Sequence, residues 1–170
     1  MPNKAFAKLI EKRKEWVRVS KENEFDFDSI LAGLYNDPSH FIYEILQNAE
    51  DAKDEKVRGA KKVIFKLFED RLDIHHDGAD FDFKDIDGVT GIGISKKKDD
   101  LNSIGKFGVG FKSVFAVTKT PCIFSGEYKI KIEDFVIPSV VDDNIHISET
   151  LIRLPFNHNF RSKEEVFNLV

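Results

Sequence analysis

Hydrophobic spacing changes period along this chain. It is helical through the first third, then strand-like with a helix interposed. That order argues for a single sheet covered by helices on one face. At 170 residues and 41% hydrophobic content the chain can bury one core but not two comfortable ones, so a single domain is expected.

Read element by element, Ala5 to Val19 is an amphipathic helix. Its bases Lys8, Lys12, Arg13, Lys14 and Arg18 interleave with Glu11 and Glu15, the mark of a solvated face. A short helix follows around Asp28 to Leu34. Asp37-Pro38-Ser39 starts another, expected to run to about Val57 with Pro38 in its first turn. Lys62 to Phe68 and Arg71 to His75 form a hairpin around Glu69-Asp70. Phe83 to Val89 reads as a short helix, and Gly88 to Leu101, rich in Gly, Ser, Lys and Asp, as a mobile loop. Phe107 to Val117 opens a helix out of a glycine cluster. Strands are expected at Pro121 to Ser125, Tyr128 to Ile132 and Leu151 to Pro155, and a helix at Ser162 to Val170. That last helix stops without any capping or polar tail, so the chain reads as a piece of a longer polypeptide.

Composition narrows the function classes. A net charge of -4 gives no global footprint for nucleic acid, so nucleic acid is not expected as a partner of this domain. Sixteen Phe against one Trp and three Tyr suit a ring-filled core better than a base-stacking surface. The one cysteine, Cys122, cannot form an internal disulfide. It reads as a buried inert thiol in a reducing, intracellular setting, cytoplasmic with the nucleus also compatible. No apolar run approaches membrane-spanning length, and no membrane partner is expected.

Two stretches carry chemistry. On the helix after Pro38, Glu44, Asn48 and Asp51 follow i, i+4, i+7 spacing and form one narrow polar stripe. It edges an apolar face of Phe41, Ile42, Ile45, Leu46, Ala49 and Ala52. Such a stripe can line a pocket, with a carboxylate to activate water and an amide oxygen to hold a hard metal ion. The second stretch is Ile104 to Ser113, where Gly105, Gly108 and Gly110 stand at a passage from loop to helix. Glycines there let several backbone N–H groups turn toward an anion, and phosphate is the natural ligand. The cluster lacks the Lys-Ser/Thr ending of a P-loop and the ribose-binding acid of a Rossmann unit.

Together, Glu44-x-x-x-Asn48-Ala49-x-Asp51-Ala52 and Gly105-x-Phe107-Gly108-Val109-Gly110-Phe111 resemble the N-box and second glycine box of the GHKL ATPases. This is the group of gyrase, heat-shock chaperone, histidine kinase and MutL, and the likeness is to its sacsin-type domains in particular. It spans about Phe41 to Phe156. The resemblance implies an α+β Bergerat-type two-layer sandwich: a mostly antiparallel mixed sheet, helices on one face and a mobile ATP lid. Residues 1–37 would be a helical segment of the same domain and 38–170 the ATP-binding domain. It further implies that Glu44 is the general base, that Asn48 coordinates magnesium, and that Asp51 and Ala52 line the nucleotide. Gly105, Lys106, Phe107, Gly108, Val109, Gly110 and Phe111 would surround the phosphates, Gly91 to Lys98 would belong to the lid, and Thr150 would help hold adenine.

One departure stands out. Where such domains have Asp-x-Gly-x-Gly, this chain has His75-His76-Asp77-Gly78-Ala79, so aligning on Gly78 puts His76 in place of the acid and assigns adenine to Asp77 one position late. His75 and His76 otherwise read as an ordinary strand-end pair. Lys106 and Lys112 flank the phosphate loop, and each fits either phosphate pairing or solvent. The resemblance implies magnesium-dependent binding of ATP and ADP with slow hydrolysis, driving conformational change in a larger protein with its remaining domains, and an ATP-dependent homodimer. A degenerate sensing or scaffolding module without hydrolysis is the alternative, and a histidine kinase is the enzymatic rival.

Overall fold

The computed structural model describes residues 4–24, 39–91, 110–142, 145 and 148–170. Helix α1 (Lys4–Glu22) buries Phe6, Leu9, Arg13 and Val17, one stripe at three- and four-residue spacing. Its outer face carries the expected ion pairs, Arg18 with Glu15 and Glu22 and Lys14 with Glu11. Arg13 departs from the solvated reading, because its position falls on the buried stripe.

Helix α2 (His40–Asp51) buries Phe41, Ile45 and Ala49. It stops short of Val57 because Asp54 accepts the backbone N–H groups of Lys56 and Val57 at 2.7 and 2.6 Å, a local turn that competes with helical bonding. Gly59, at φ +97°, then brings the chain back against α2, and the Ala60 N–H donates to the Ala49 carbonyl at 2.9 Å.

Strands β1 (Val63–Leu67), β2 (Arg71–His76), β3 (Cys122–Ser125), β4 (Tyr128–Glu133), β5 (Ile137–Val140) and β6 (Thr150–Pro155) form one sheet in the order β1-β2-β6-β3-β4-β5. Every described pairing is antiparallel, where a mixed sheet was expected. β5 escapes sequence reading because Pro138 interrupts a short run. Proline is tolerated there because β5 is an edge strand.

The remaining helices are α3 (Phe83–Val89), a 3-10 helix (Gly110–Ala116) and α4 (Lys163–Leu169). The α3 start is set by a capping box in which Asp82 accepts from the Lys84 and Asp85 N–H groups while Asp85 accepts from that of Asp82. The helix expected after the glycine cluster takes the 3-10 form over its described residues, with Phe111, Lys112, Ser113, Val114 and Phe115 all buried.

The core lies between the helices and one face of the sheet. Ile74, Ile152, Ile123 and Ile130, adjacent across four strands, meet Phe6, Phe41, Ile45, Ile86, Phe111, Val114 and Val166 in a single cluster. On the other face Asp73 is buried and takes two bonds from the Arg153 guanidinium, both at 2.9 Å. The chain is thus an α+β domain with its helices gathered over one side of an antiparallel sheet. Cys122 is part-buried at the start of β3, not enclosed as expected, and its thiol lies 3.6 Å from the Thr120 carbonyl. No helix among the described residues is long and apolar enough to cross a membrane.

Candidate functional site

Helix α2 and the 3-10 helix pack against each other and bring Gly110 and Phe111, the described end of the second motif, to the first. The contact is close at Gly110, where a Cβ would overlap Oε2 of Glu44 and lie 2.7 Å from its Cδ. Glycine leaves room for that carboxylate where it lies, and a side chain at this position would push it aside. Glu44 is itself half-buried, and its Oε1 is 2.9 Å from Nε2 of His40, one turn earlier on α2. A carboxylate held between an imidazole and a glycine backbone is oriented before any ligand arrives.

Further along the same stripe, Asn48 is partly exposed, and Asp51 carries Lys53 at 3.6 Å. The end of α2 meets the loop after β2. A Cβ on Gly78 would lie 2.7 Å from Cβ of Ala52 and 3.2 Å from the Ala49 carbonyl oxygen, and the Ala79 N–H donates to the Ala52 carbonyl at 2.9 Å. Helix α2 therefore spans from the Gly110 turn to the Gly78 turn, with Glu44, Asn48 and Asp51 arrayed between.

At the Gly78 end, Asp77 is partly exposed and its Oδ1 accepts the Lys61 and Lys62 N–H groups at 2.8 and 2.9 Å. The Lys62 bond leads in holding its pKa below the usual range. That oxygen is occupied in fixing the entry to β1. His76 is buried and its Nδ1 accepts the Gly78 N–H at 3.2 Å, while burial lowers its pKa, so the ring is neutral with its proton on Nε2. Cross-strand from His76 stands Thr150, fully buried, its hydroxyl 2.5 Å from that of Ser125. Ser125 Oγ also accepts the Phe81 N–H at 2.9 Å and lies 3.4 Å from Asp80 Oδ1. Asp80 and Ser125 belong to this polar floor, yet sequence reading assigned them nothing. Asp80 stands two places past Gly78 as a signal, whereas Ser125 is an ordinary strand residue.

Lys112 is not solvated. It is buried, and its ammonium donates to the carbonyls of Val89, at 2.6 Å, and Phe135. Arg13 reaches the same region from α1, bonding the Asp87 carboxylate at 2.5 Å and the Asp87 carbonyl at 2.8 Å. Of the expected phosphate loop, Gly110 and Phe111 are described. Gly105, Lys106, Phe107, Gly108 and Val109 lie outside the described residues, as do the lid positions beyond Gly91 and the helix expected at Asp28 to Leu34.

The fold and this arrangement define an α+β domain in which one helix carries a carboxylate against a glycine turn at one end and packs on a second glycine turn at the other. The chain belongs to the Sacsin domain family, whose sequence profile matches residues 74–168, more than half its length. It is 33% identical over 119 residues to human sacsin, covering 60% of this chain and 2% of sacsin. It is 35% identical over 115 residues to Protein NO VEIN of Arabidopsis thaliana, covering 64% of this chain and 4% of that protein. The chain therefore spans a small part of either relative.

Proposed function

We propose that this domain binds ATP with magnesium and hydrolyses it slowly, as a GHKL-type ATPase of the Bergerat fold, to drive conformational change in a larger protein. The observation that carries the reading is the seat of Glu44 on Gly110, which puts a half-buried acid of the α2 stripe beside the first residue of the 3-10 helix. The antiparallel sheet with helices over one face is compatible with that fold.

In this reading the backbone N–H groups of Gly105 to Phe111 take up phosphate charge as it develops. Asn48 supplies a neutral hard oxygen one helical turn from Glu44, a donor suited to magnesium, which when bound neutralises charge on the phosphate oxygens. Glu44 accepts a proton from the attacking water. The water oxygen bonds to the γ-phosphorus, and the bond from that phosphorus to its bridging oxygen breaks to leave ADP and inorganic phosphate. His40, bonded to Oε1, keeps the second carboxylate oxygen aimed at the water. Asp77, Thr150 and the Ser125–Asp80 floor form the base side, with Asp51 and Ala52 between base and phosphates. The remaining domains of a longer polypeptide and a nucleotide-dependent homodimer are the partners this reading implies.

Isothermal titration with ATP, ADP and GTP, with and without magnesium, tests it on the wild type, Asn48→Ala and Asp77→Asn. Magnesium-dependent binding that prefers adenine nucleotides and weakens in both variants is expected, with Glu44→Ala binding ATP but failing to turn it over. A folded domain that binds none of the three would overturn the proposal in favour of a scaffold.

A further inference from the structure

We infer that Lys112 is a positioning residue for the phosphate side of this site, tying the Gly110 turn on which Glu44 rests to the last turn of α3 and to the β4–β5 turn. The inference rests on the ATP reading above for its catalytic consequence, and on geometry alone for the tie itself.

Lys112 sits two residues after Gly110 in the 3-10 helix and is 5% exposed. A lysine so enclosed is costly unless its donors are used. Here two are, on carbonyls from different elements. Val89 ends α3, so its carbonyl is one that the helix leaves without an internal partner. Phe135 lies in the turn between β4 and β5 at φ +65°, with its ring 4.7 Å from that of Phe115. The side chain thus bridges three segments that are separate in the sequence. The same turn of α3 receives Arg13 through Asp87 and, at 3.4 Å, through the Thr90 hydroxyl, so side chains from two elements bond the end of one short helix. The glycine turn is therefore held from behind by a side chain that touches neither Glu44 nor, in the proposed arrangement, the nucleotide.

The role is tested on the whole chain with Lys112→Met, which keeps the stem and removes the donors. Amide hydrogen exchange without nucleotide should show Val117 and Thr118, bonded back to Val114, exchanging roughly tenfold faster or more, with β2 and β6 unchanged. Turnover should fall roughly tenfold or more, while ADP affinity changes by less than about threefold, because the carboxylate's alignment suffers more than ground-state binding. Unchanged exchange overturns the tie. Equal losses in turnover and ADP affinity overturn the positioning role and leave Lys112 a packing residue. If Lys112→Met does not fold, exchange in the wild type under rising denaturant decides. Thr90 and Gly91 should open together with Val117 and Thr118, and separate openings would refute the tie. Absence of nucleotide binding by the folded wild type would sink the ATP reading while leaving the exchange result to stand or fall by itself.

Discussion

At the scale of single residues, Gly110 and Lys112 show how much depends on side chains that are missing or enclosed. The close approach at Gly110 is to the carboxylate of Glu44, the far end of a flexible side chain. Gly110→Ala should therefore push that carboxylate aside and lower turnover roughly tenfold or more, with a stability loss of less than about 1 kcal/mol in urea unfolding. Unchanged turnover would mean that the carboxylate does not sit there. Lys112 makes a pH-dependent prediction. Burial, reinforced by the nearby Arg13 charge, lowers its pKa from 10.5 to about 7. Between those values the unfolded chain holds the extra proton, so Lys112 makes stability rise with pH through that window and penalises the fold below it. The slope is at most about 1.4 kcal/mol per pH unit. Unfolding measured from about pH 6 to 9 should show this rise in the wild type and a flatter profile in Lys112→Met. Identical profiles would show that the amine is not desolvated.

At the scale of elements, α2 is the organising piece, because its length is set at both ends by what it must reach. Its apolar positions and the i, i+4, i+7 stripe were legible in the sequence, since helical period encodes which side is buried. Its end was not. The Asp54 turn and Gly59 cut it at Asp51 and fold the following segment back onto Ala49. A Cβ on Gly59 would overlap the Glu50 carbonyl oxygen, and φ +97° is a conformation that L side chains rarely adopt. Gly59→Ala should therefore cost about 1 kcal/mol or more and loosen the turn at the end of the site helix. Differential scanning calorimetry with nucleotide titration would register both effects, and a neutral substitution would mean that this turn is not as described. By contrast, α3 appears in the structure with the boundaries the sequence suggests, because its capping box lies within four consecutive residues.

At the scale of the whole molecule, α1 is part of the same core as the site. Phe6 and Leu9 join the central cluster, the Phe6 ring lies 6.0 Å from that of Tyr128 on β4, and Arg13 locks the helix to α3. Phe6→Ala should cost about 3 kcal/mol in a single cooperative transition. A loss below about 1 kcal/mol, or a separate early transition, would show α1 docked loosely on an independent domain. The sequence by itself determined most strands to within a residue, most of the buried face of α2, and the two motifs, because period and turn chemistry are local properties. Only the tertiary structure decided which charges go inside. Arg13 and Lys112 look like their solvated neighbours in the sequence, and their partners lie 74 and 23 residues away. Some of those partners are backbone carbonyls, which carry no side-chain signature. The same holds for Ser125 beneath Thr150 and for the 3-10 form of the helix at Gly110, which packs against α2.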